Sequence, residues 1–539
     1  MISRIILQNF KRYKRVDFIC NSEVNIFVGE NGAGKSTLLY AVGLVLSGSH
    51  SQIERSSLAS IINQEAILDF MGTKDINQLP EAFVEIYFDE LCTEISSNFN
   101  IEGKHNSQKI KAFGLSLKII PDQDYISEIT SVLNDSNWTV FPFEFYRVEF
   151  LTFSGKPYSS YNKPYKFLHS IINTSLIDTQ QEIQKRIHEV YLENISAENR
   201  AKVNHQYRIN SFNFLKTLRK DELLKENASE FQLHFDESEN SFRNSVSAVK
   251  NGVDIKNLGQ GEKVLLGVEN AYSHLKETVK ILLIEEPENH LSFQNLQKLV
   301  RMLSSKTGVQ VFIGTHSNMI ASRLGVDNLL FLDNGQISKL KGLKKDTVRF
   351  FKKSTNQNLL NFSLGKKIIL VEGNAEYILV EKFFEILHSK KPEEFNVSII
   401  SVDGLSFERY LEIATNFTDK KVAVITDNDG DYESKVQSKY SSYQQFQNIK
   451  VSSDLDNANR TFELCIYNNN KDLLDSFGLT KSKDLLGYML REKAEFALRL
   501  LEKMETDHRS DEFIGSIISV VGKTTVEIIE LFECTQKVP

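Results

Sequence analysis

Apolar positions along the chain fall into two regions where short strand-like blocks alternate with helical ones, separated by a charge-rich stretch of purely helical period. Residues 5–10 alternate like an edge strand, residues 23–28 form a buried strand that ends at Gly29, and residues 38–46 continue as an apolar helix. Residues 81–88, with Phe83, Ile86 and Phe88, and residues 146–153 read as further strands, which sets a β-rich lobe beside the loop beginning at Gly29. From Ile171 to Leu233 the spacing turns helical, with many charges and no proline, most clearly over residues 180–192 and 214–224. Such a stretch serves either as an ordinary helical insertion or as a dimerisation arm.

Strand-like blocks resume at residues 281–284, 309–313 and 328–332. A segment rich in Lys, Asn and Ser, residues 341–365, reads as a linker, and a third set of strands follows at 367–371, 397–402 and 422–425. Strands that alternate with helices imply an α/β protein with mostly parallel sheets.

At 539 residues the chain exceeds one core and fits two or three domains. Hydrophobic residues at 41% and charged residues at 25% give the balance of a globular protein. No apolar run approaches the roughly 20 residues that span a bilayer, and Met1-Ile2-Ser3-Arg4 runs straight into a motif instead of a removable signal, so a cytoplasmic location without membrane contact is expected. Cys20, Cys92, Cys465 and Cys534 are scattered without metal-binding spacing, which favours packing roles in a reducing compartment over structural zinc. The net charge of −7 speaks against a generally basic coat but leaves room for a local basic groove.

The strongest motif is Gly29-Glu30-Asn31-Gly32-Ala33-Gly34-Lys35-Ser36-Thr37, placed between a strand and a helix. Its glycines let backbone N–H groups approach phosphates, Lys35 adds charge against the β- and γ-phosphates, and Ser36 carries a hydroxyl for Mg²⁺. Gly29, Asn31, Gly32, Gly34 and Thr37 complete this candidate ATP loop. Its partner, Ile281-Leu282-Leu283-Ile284-Glu285-Glu286-Pro287-Glu288, delivers acids at the carboxyl end of a strand, with Glu285 for magnesium and Glu286 as the base that orients water.

Leu258-Gly259-Gln260-Gly261-Glu262-Lys263 is similar to the ABC signature, reduced to the core Gly259, Gln260 and Gly261. Gly314-Thr315-His316-Ser317 places His316 where ABC enzymes sense the γ-phosphate. The resemblance implies a homodimer or higher homo-oligomer, because in this class one subunit's signature closes over ATP bound to another. Asn9-Phe10-Lys11-Arg12-Tyr13 resembles the Asn-Phe-Arg segment of SMC-type ATPases, with Lys11 at the arginine position as a phosphate contact. Gln64 is a possible glutamine-loop residue, but the surrounding residues 61–70 read equally as a plain amphipathic helix, which speaks against that role.

The last third carries different chemistry. Ile368-Ile369-Leu370-Val371-Glu372-Gly373-Asn374-Ala375-Glu376 ends a strand in a glutamate-glycine turn, and Val422-Ala423-Val424-Ile425-Thr426-Asp427-Asn428-Asp429 ends another in two aspartates. Acids at the ends of neighbouring parallel strands can converge, and oxygen-only ligands favour Mg²⁺ or Mn²⁺ over zinc. Two such ions suit phosphodiester cleavage.

Together these segments resemble the OLD (overcoming lysogenization defect) family, which includes the nuclease of the Gabija antiphage system and retron-associated effectors. The resemblance implies an ABC-type ATPase followed by a Toprim α/β domain. By that division residues 1–170 and 241–345 form the ATPase, 171–240 the helical, dimerising insert, 346–365 the linker and 366–539 the Toprim domain. Thr461-Phe462-Glu463 resembles the segment that gives the third metal ligand, and Arg491-Glu492-Lys493-Ala494-Glu495 the segment that gives the lysine. Glu463 would complete one metal site with Asp427 and Asp429, Glu372 and Glu376 would hold the other ion, and Lys493 would stabilise charge on the attacked phosphate.

The sequence thus leads to an ATP-controlled DNA endonuclease of antiphage defence, with one Mg²⁺ beside ATP and two Mg²⁺ or Mn²⁺ in the Toprim site. A reverse transcriptase with its nucleic acid, or a helicase, is a candidate partner by the same resemblance. The alternative is an SMC- or RecF-like DNA-binding ATPase without nuclease activity, and intact acids at all five positions speak against it. A third class, primase or topoisomerase, lacks the further nucleotide-binding motifs or the tyrosine-bearing gate it requires.

Overall fold

The computed structural model describes residues 1–506 apart from positions 74, 92–94, 96, 135–139, 165–167, 174–194, 221–248, 251, 255–256, 274–278, 306–307, 334, 354–357, 405 and 482–483. The chain divides into two compact units, one comprising Met1–Phe27 and Gly34–Thr315, the other Val28–Ala33 and His316–Pro539.

The first unit begins with β1 (Ile2–Phe10) and β2 (Tyr13–Ile19), continues through β3 (Val24–Val28), α1 (Lys35–Ser47) and α2 (Gln64–Thr73), and returns to sheet in β4 (Ala82–Phe88), β5 (Glu102–Gly103), β6 (Ala112–Pro121) and β7 (Tyr146–Thr152). These strands form an antiparallel sheet in the order β2-β1-β4-β6-β5, with β7 also on β6. The edge-strand expectation for residues 5–10 is therefore corrected, since β1 pairs β2 on one side and β4 on the other. Ile6 packs with Tyr87 and Phe153, and Ile5, Ile6 and Leu7 are all fully buried, so both faces of β1 are covered.

A second, parallel sheet runs in the order β3-β12-β11-β8, built from β8 (Leu168–Asn173), β11 (Val279–Glu285) and β12 (Gln310–Gly314). β8 lies where the helical period was expected to begin. Over so short a run Ile171 and Ile172 fit either spacing, and pairing with β11 decides the matter. Beyond it, α3 (Ala197–Lys220) supplies a long helix, while residues 180–192 fall outside the described residues. The small hairpin of β9 (Val249–Lys250) and β10 (Val253–Asp254) precedes α4 (Gln260–Ser273), and α5 (Phe293–Ser305) follows β11. Helix α1 touches strands of both sheets and buries Leu38, Leu39, Ala41, Val42, Leu44, Val45 and Leu46, which explains its apolar character all round.

The second unit holds α6 (Asn318–Arg323), the hairpin of β13 (Leu329–Asp333) and β14 (Gln336–Lys339), α7 (Lys345–Lys353) and α8 (Leu359–Leu364). The linker expected at residues 346–365 is thus largely helical. Its lysines and asparagines conceal a buried set made of Thr347, Phe351, Leu359, Leu360, Phe362 and Ser363. Next come β15 (Lys367–Val371), α9 (Asn374–His388), β16 (Val397–Ser401), α10 (Phe407–Ala414), β17 (Lys421–Ile425), β18 (Ile449–Ser452), α11 (Phe462–Phe477), α12 (Leu485–Arg491) and α13 (Lys493–Thr506). The four strands are parallel in the order β16-β15-β17-β18. Ile369, Val371, Ala423 and Ile425 join a core with residues of α9, α11 and α13, while α8 and α10 meet across Phe362 and Tyr410. Coverage of both faces accounts for the near-continuous apolar strands.

Lys420, 3% exposed just before β17, donates to the carbonyls of Phe362 and Ser363 at 2.7 and 3.0 Å and to that of Gly365, and lies over the rings of Phe362 and Phe417. It caps the end of α8 and ties that helix to the sheet. Burial pushes the ammonium from 10.5 down to about 7. Between those values the unfolded chain binds the extra proton, so stability should rise as pH rises through the window. Thermal unfolding from pH 7 to 10 should show this slope in the native protein. In Lys420→Met it should be flatter, with a loss of about 1–3 kcal/mol from the abandoned carbonyls; equal slopes would refute the assignment.

Candidate functional site

At the nucleotide loop, β3 ends and α1 begins with Gly34 as its N-cap at φ 108°. A side chain at Gly34 would place its Cβ 2.3 Å from the Tyr13 hydroxyl and 3.0 Å from Arg12 Cδ. Gly29 is similarly confined, with the Leu332 carbonyl oxygen 2.7 Å from a would-be Cβ. Gly32 takes a positive φ of 76°. Lys35 is 5% exposed; burial lowers its pKa, while Glu286, Glu288 and Glu285 draw it back up. The two sequence motifs, more than 240 residues apart, therefore share one electrostatic site. Asn31 and Ser36 are exposed and Thr37 half-buried at this helix start.

Glu285 is the last residue of β11. Glu286 then turns the chain in a left-handed conformation, φ 41° and ψ 54°, its N–H donating to Gly314 O at 2.8 Å and its Oε2 accepting from Asn289 at 2.7 Å. Glu288, unassigned from sequence beyond the acidic run, accepts from the Thr315 hydroxyl at 2.8 Å and faces Lys35. Gly259, Gln260 and Gly261 form the start of α4, with open space around Gly259. His316 opens the second unit immediately after Thr315, half-buried. Lys11 lies with its ammonium 4.3 Å from the centre of the Tyr40 ring. Gln64 is exposed and donates to Ala59 O at 2.8 Å, the behaviour of a helix-end residue.

In the second unit, the carboxyl ends of β15 and β17 present Glu372 and Asp427 side by side. Asp427 Oδ1 accepts the Phe462 N–H at 2.8 Å, which fastens the first turn of α11 to the end of β17. That bond carries Glu463, fully buried, into the same region, where Lys493 at the start of α13 stands 3.0 Å from its Oε2. Glu376 Oε2 accepts the Gly373 N–H at 3.0 Å from within the first turn of α9. Asp429 is exposed at φ 50°, and its N–H donates to Arg460 O at 3.1 Å.

The electrostatics confirm that these groups share one region. Burial, then Glu372, Glu376 and Glu463, push Asp427 up to about 8, against the pull of Lys493. Burial also raises Glu372 and Glu376, with Lys493 opposing in both. Sequence reading missed Asn428 between the two aspartates. Fully buried, it donates to the carbonyls of Asp454 and Asp456 at 2.8 and 2.9 Å and accepts the Gly430 N–H at 2.9 Å, fixing the loop that carries both acids. A buried amide in so acidic a turn was the available signal.

Residues 1–321 match the family described as AAA ATPase domain. The chain belongs to that family. Residues 364–429 match the TOPRIM domain of overcoming lysogenization defect protein-like sequences, and the two matches together support an OLD-family ATPase–Toprim protein. One curated relative is the structural maintenance of chromosomes protein 3 of Saccharomyces cerevisiae, 35% identical over 65 residues. The match takes in 12% of this chain, which spans only 5% of that protein's length. Among solved structures, an Smc head bound to the C-terminal winged-helix domain of ScpA aligns at 16% identity and TM-score 0.35, over 63% of this chain and 98% of that one. The Smc head domain from Thermotoga maritima aligns at 16% identity and TM-score 0.29, over 63% and 99%.

An ATPase domain and a Toprim nuclease domain thus share one polypeptide, and such domains use ATP and divalent metals. As placed, no three His, Cys, Asp or Glu side chains among the described residues stand close enough to hold a metal ion. The donor chemistry nevertheless fits a hard cation: Glu372 Oε2 and Glu463 Oε1 are buried without hydrogen-bond partners, and the carboxylates raise one another's proton affinity.

Gly34→Ala tests the nucleotide loop. The left-handed φ and the collision with Tyr13 should cost about 1–3 kcal/mol, and ATP affinity measured by calorimetry should fall at least about tenfold. Unchanged affinity would show that this loop does not cradle the nucleotide.

Proposed function

We propose that this OLD-family protein is a DNA endonuclease that requires a divalent metal, is controlled by ATP and acts as an effector of antiphage defence. The observation that carries the reading is the electrostatic coupling of Asp427 to Glu372, Glu376, Glu463 and Lys493 at one edge of the Toprim sheet, in the same chain as an ATPase domain. Glu372, Glu376, Asp427, Asp429 and Glu463 would hold Mg²⁺ or Mn²⁺, which supplies activation of water and neutralisation of the phosphate. Lys493 would bind the attacked phosphate, since its side chain remains 44% exposed even while paired with Glu463. Lys35, Ser36 and Glu285 would hold ATP with its Mg²⁺, and Glu286 would orient the attacking water. His316 would sense the γ-phosphate, and Gly259 to Gly261 would close on ATP across a homodimer. Lys11, turned onto Tyr40, would reach phosphate only on leaving that ring.

The SMC similarities lie with the ATPase part, and an ATPase without nuclease activity would leave the buried acids of the second unit unexplained. No helix among the described residues is long and apolar enough to cross a membrane.

Supercoiled DNA incubated with Mg²⁺ or Mn²⁺, with and without ATP, tests both halves. Asp427→Ala should lower nicking by roughly a hundredfold or more, whereas Lys35→Ala should abolish the response to ATP and keep metal-dependent cutting. Equal nicking by wild type and Asp427→Ala under every metal and nucleotide condition would overturn the nuclease reading.

A further inference from the structure

After Asp429-Gly430-Asp431 the chain winds through a π-helical turn, Glu433–Ser438, and passes without a break into Lys439 and Tyr440. The wider turn changes where the following side chains point, and such turns recur at functional sites. Tyr440 is 2% exposed and held at both ends, its N–H donating to Val436 O and its carbonyl accepting from Tyr443, at 3.1 and 3.0 Å. Its buried hydroxyl makes no hydrogen bond of regular geometry and lies beside Thr426, the residue before Asp427. Glu408, then Glu372 and Asp429, act on that hydroxyl electrostatically. The ring is therefore seated at the acid cluster.

Lys439 rides on this ring. Its ammonium lies 5.0 Å from the Tyr440 centroid and makes no ion pair among the described residues. A cation over an aromatic face is oriented without being neutralised, unlike one held by a carboxylate. Lys493 and Lys439 are the two cations that stabilise charged Glu372, Lys493 more strongly. They come from different elements, α13 and the π-turn, and Lys439 is the more peripheral.

We propose that Lys439, oriented by Tyr440, is a second phosphate-binding residue of the Toprim site, taking a non-bridging oxygen of the DNA phosphate next to the one cleaved. The proposal rests on the nuclease reading. A nucleic-acid strand carries regularly spaced phosphates, so a cation beside the reacting centre positions the strand without entering the chemistry.

Steady-state cleavage of a duplex by the full-length protein in Mn²⁺ separates the possibilities, with Lys439→Ala, Lys439→Arg, Lys435→Ala and Asp427→Ala compared at several salt concentrations. Lys439→Ala should raise KM for DNA about tenfold, leave kcat within about twofold and reduce the salt dependence of KM by about one phosphate contact. Lys439→Arg should recover most of the loss, exposed Lys435→Ala should match wild type, and an unchanged thermal unfolding curve of the full-length protein would show that Lys439→Ala is folded. A KM for Lys439→Ala equal to that of wild type, with Asp427→Ala inactive, would overturn the role of Lys439 and leave the nuclease reading intact. So would a fall confined to kcat, because the residue would then act on the chemistry. Equal cleavage by wild type and Asp427→Ala would instead remove the nuclease reading, and this proposal with it.

Discussion

The bond from the Phe462 N–H to the Asp427 carboxylate is the constraint on which the second unit's site depends. Without it, β17 would present two aspartates at a strand end and α11 would carry Glu463 on an independent helix. With it, a buried glutamate is drawn towards carboxylates that it repels, and Lys493 is drawn in to balance it. Like charges in a partly dry environment are tolerated only when something opposes them, and here that opposition comes chiefly from Lys493, with Lys439 adding to it at Glu372, and from a raised proton affinity. The parallel sheet makes the crowding unavoidable, because strands that run the same way deliver their last residues to one edge.

Local pattern made much of this legible. The strand ends at Val371 and Ile425 were readable because four consecutive apolar residues lead to an acid, Glu372 directly and Asp427 one residue beyond Thr426, and the phosphate loop because glycine and lysine must occur there together. Residues decided by distant partners were hidden. β8 became a strand because β11 lay alongside it, and residues 346–353 and 359–364 became helices because Phe351 and Phe362 found Tyr410. Asn428 and Tyr440 were hidden for a further reason: their work is done by buried polar atoms, and periodicity registers only apolar ones.

The two sites rest on one principle, carboxylates gathered at strand ends and relieved in part by a lysine. At the nucleotide loop a cation, Lys35, is buried among three glutamates, so the resident charge is that of the protein's acids relieved by a lysine. At the Toprim edge the acids outnumber the cations, and the shortfall of positive charge is itself the feature that suits divalent ions. Each site thus keeps a surplus of carboxylate that a hard cation can offset, with Lys35 at one and Lys493 at the other as the resident positive charge.

Glu286 shows what such preparation demands of the backbone. It sits in the left-handed region, where glycine or asparagine would rest more easily, and a glutamate tolerates it only because the Gly314 carbonyl and Asn289 hold it there. Glycine or asparagine there would relax the turn and remove a carboxylate that acts on Lys35, so backbone ease and local charge are set against each other at this one position.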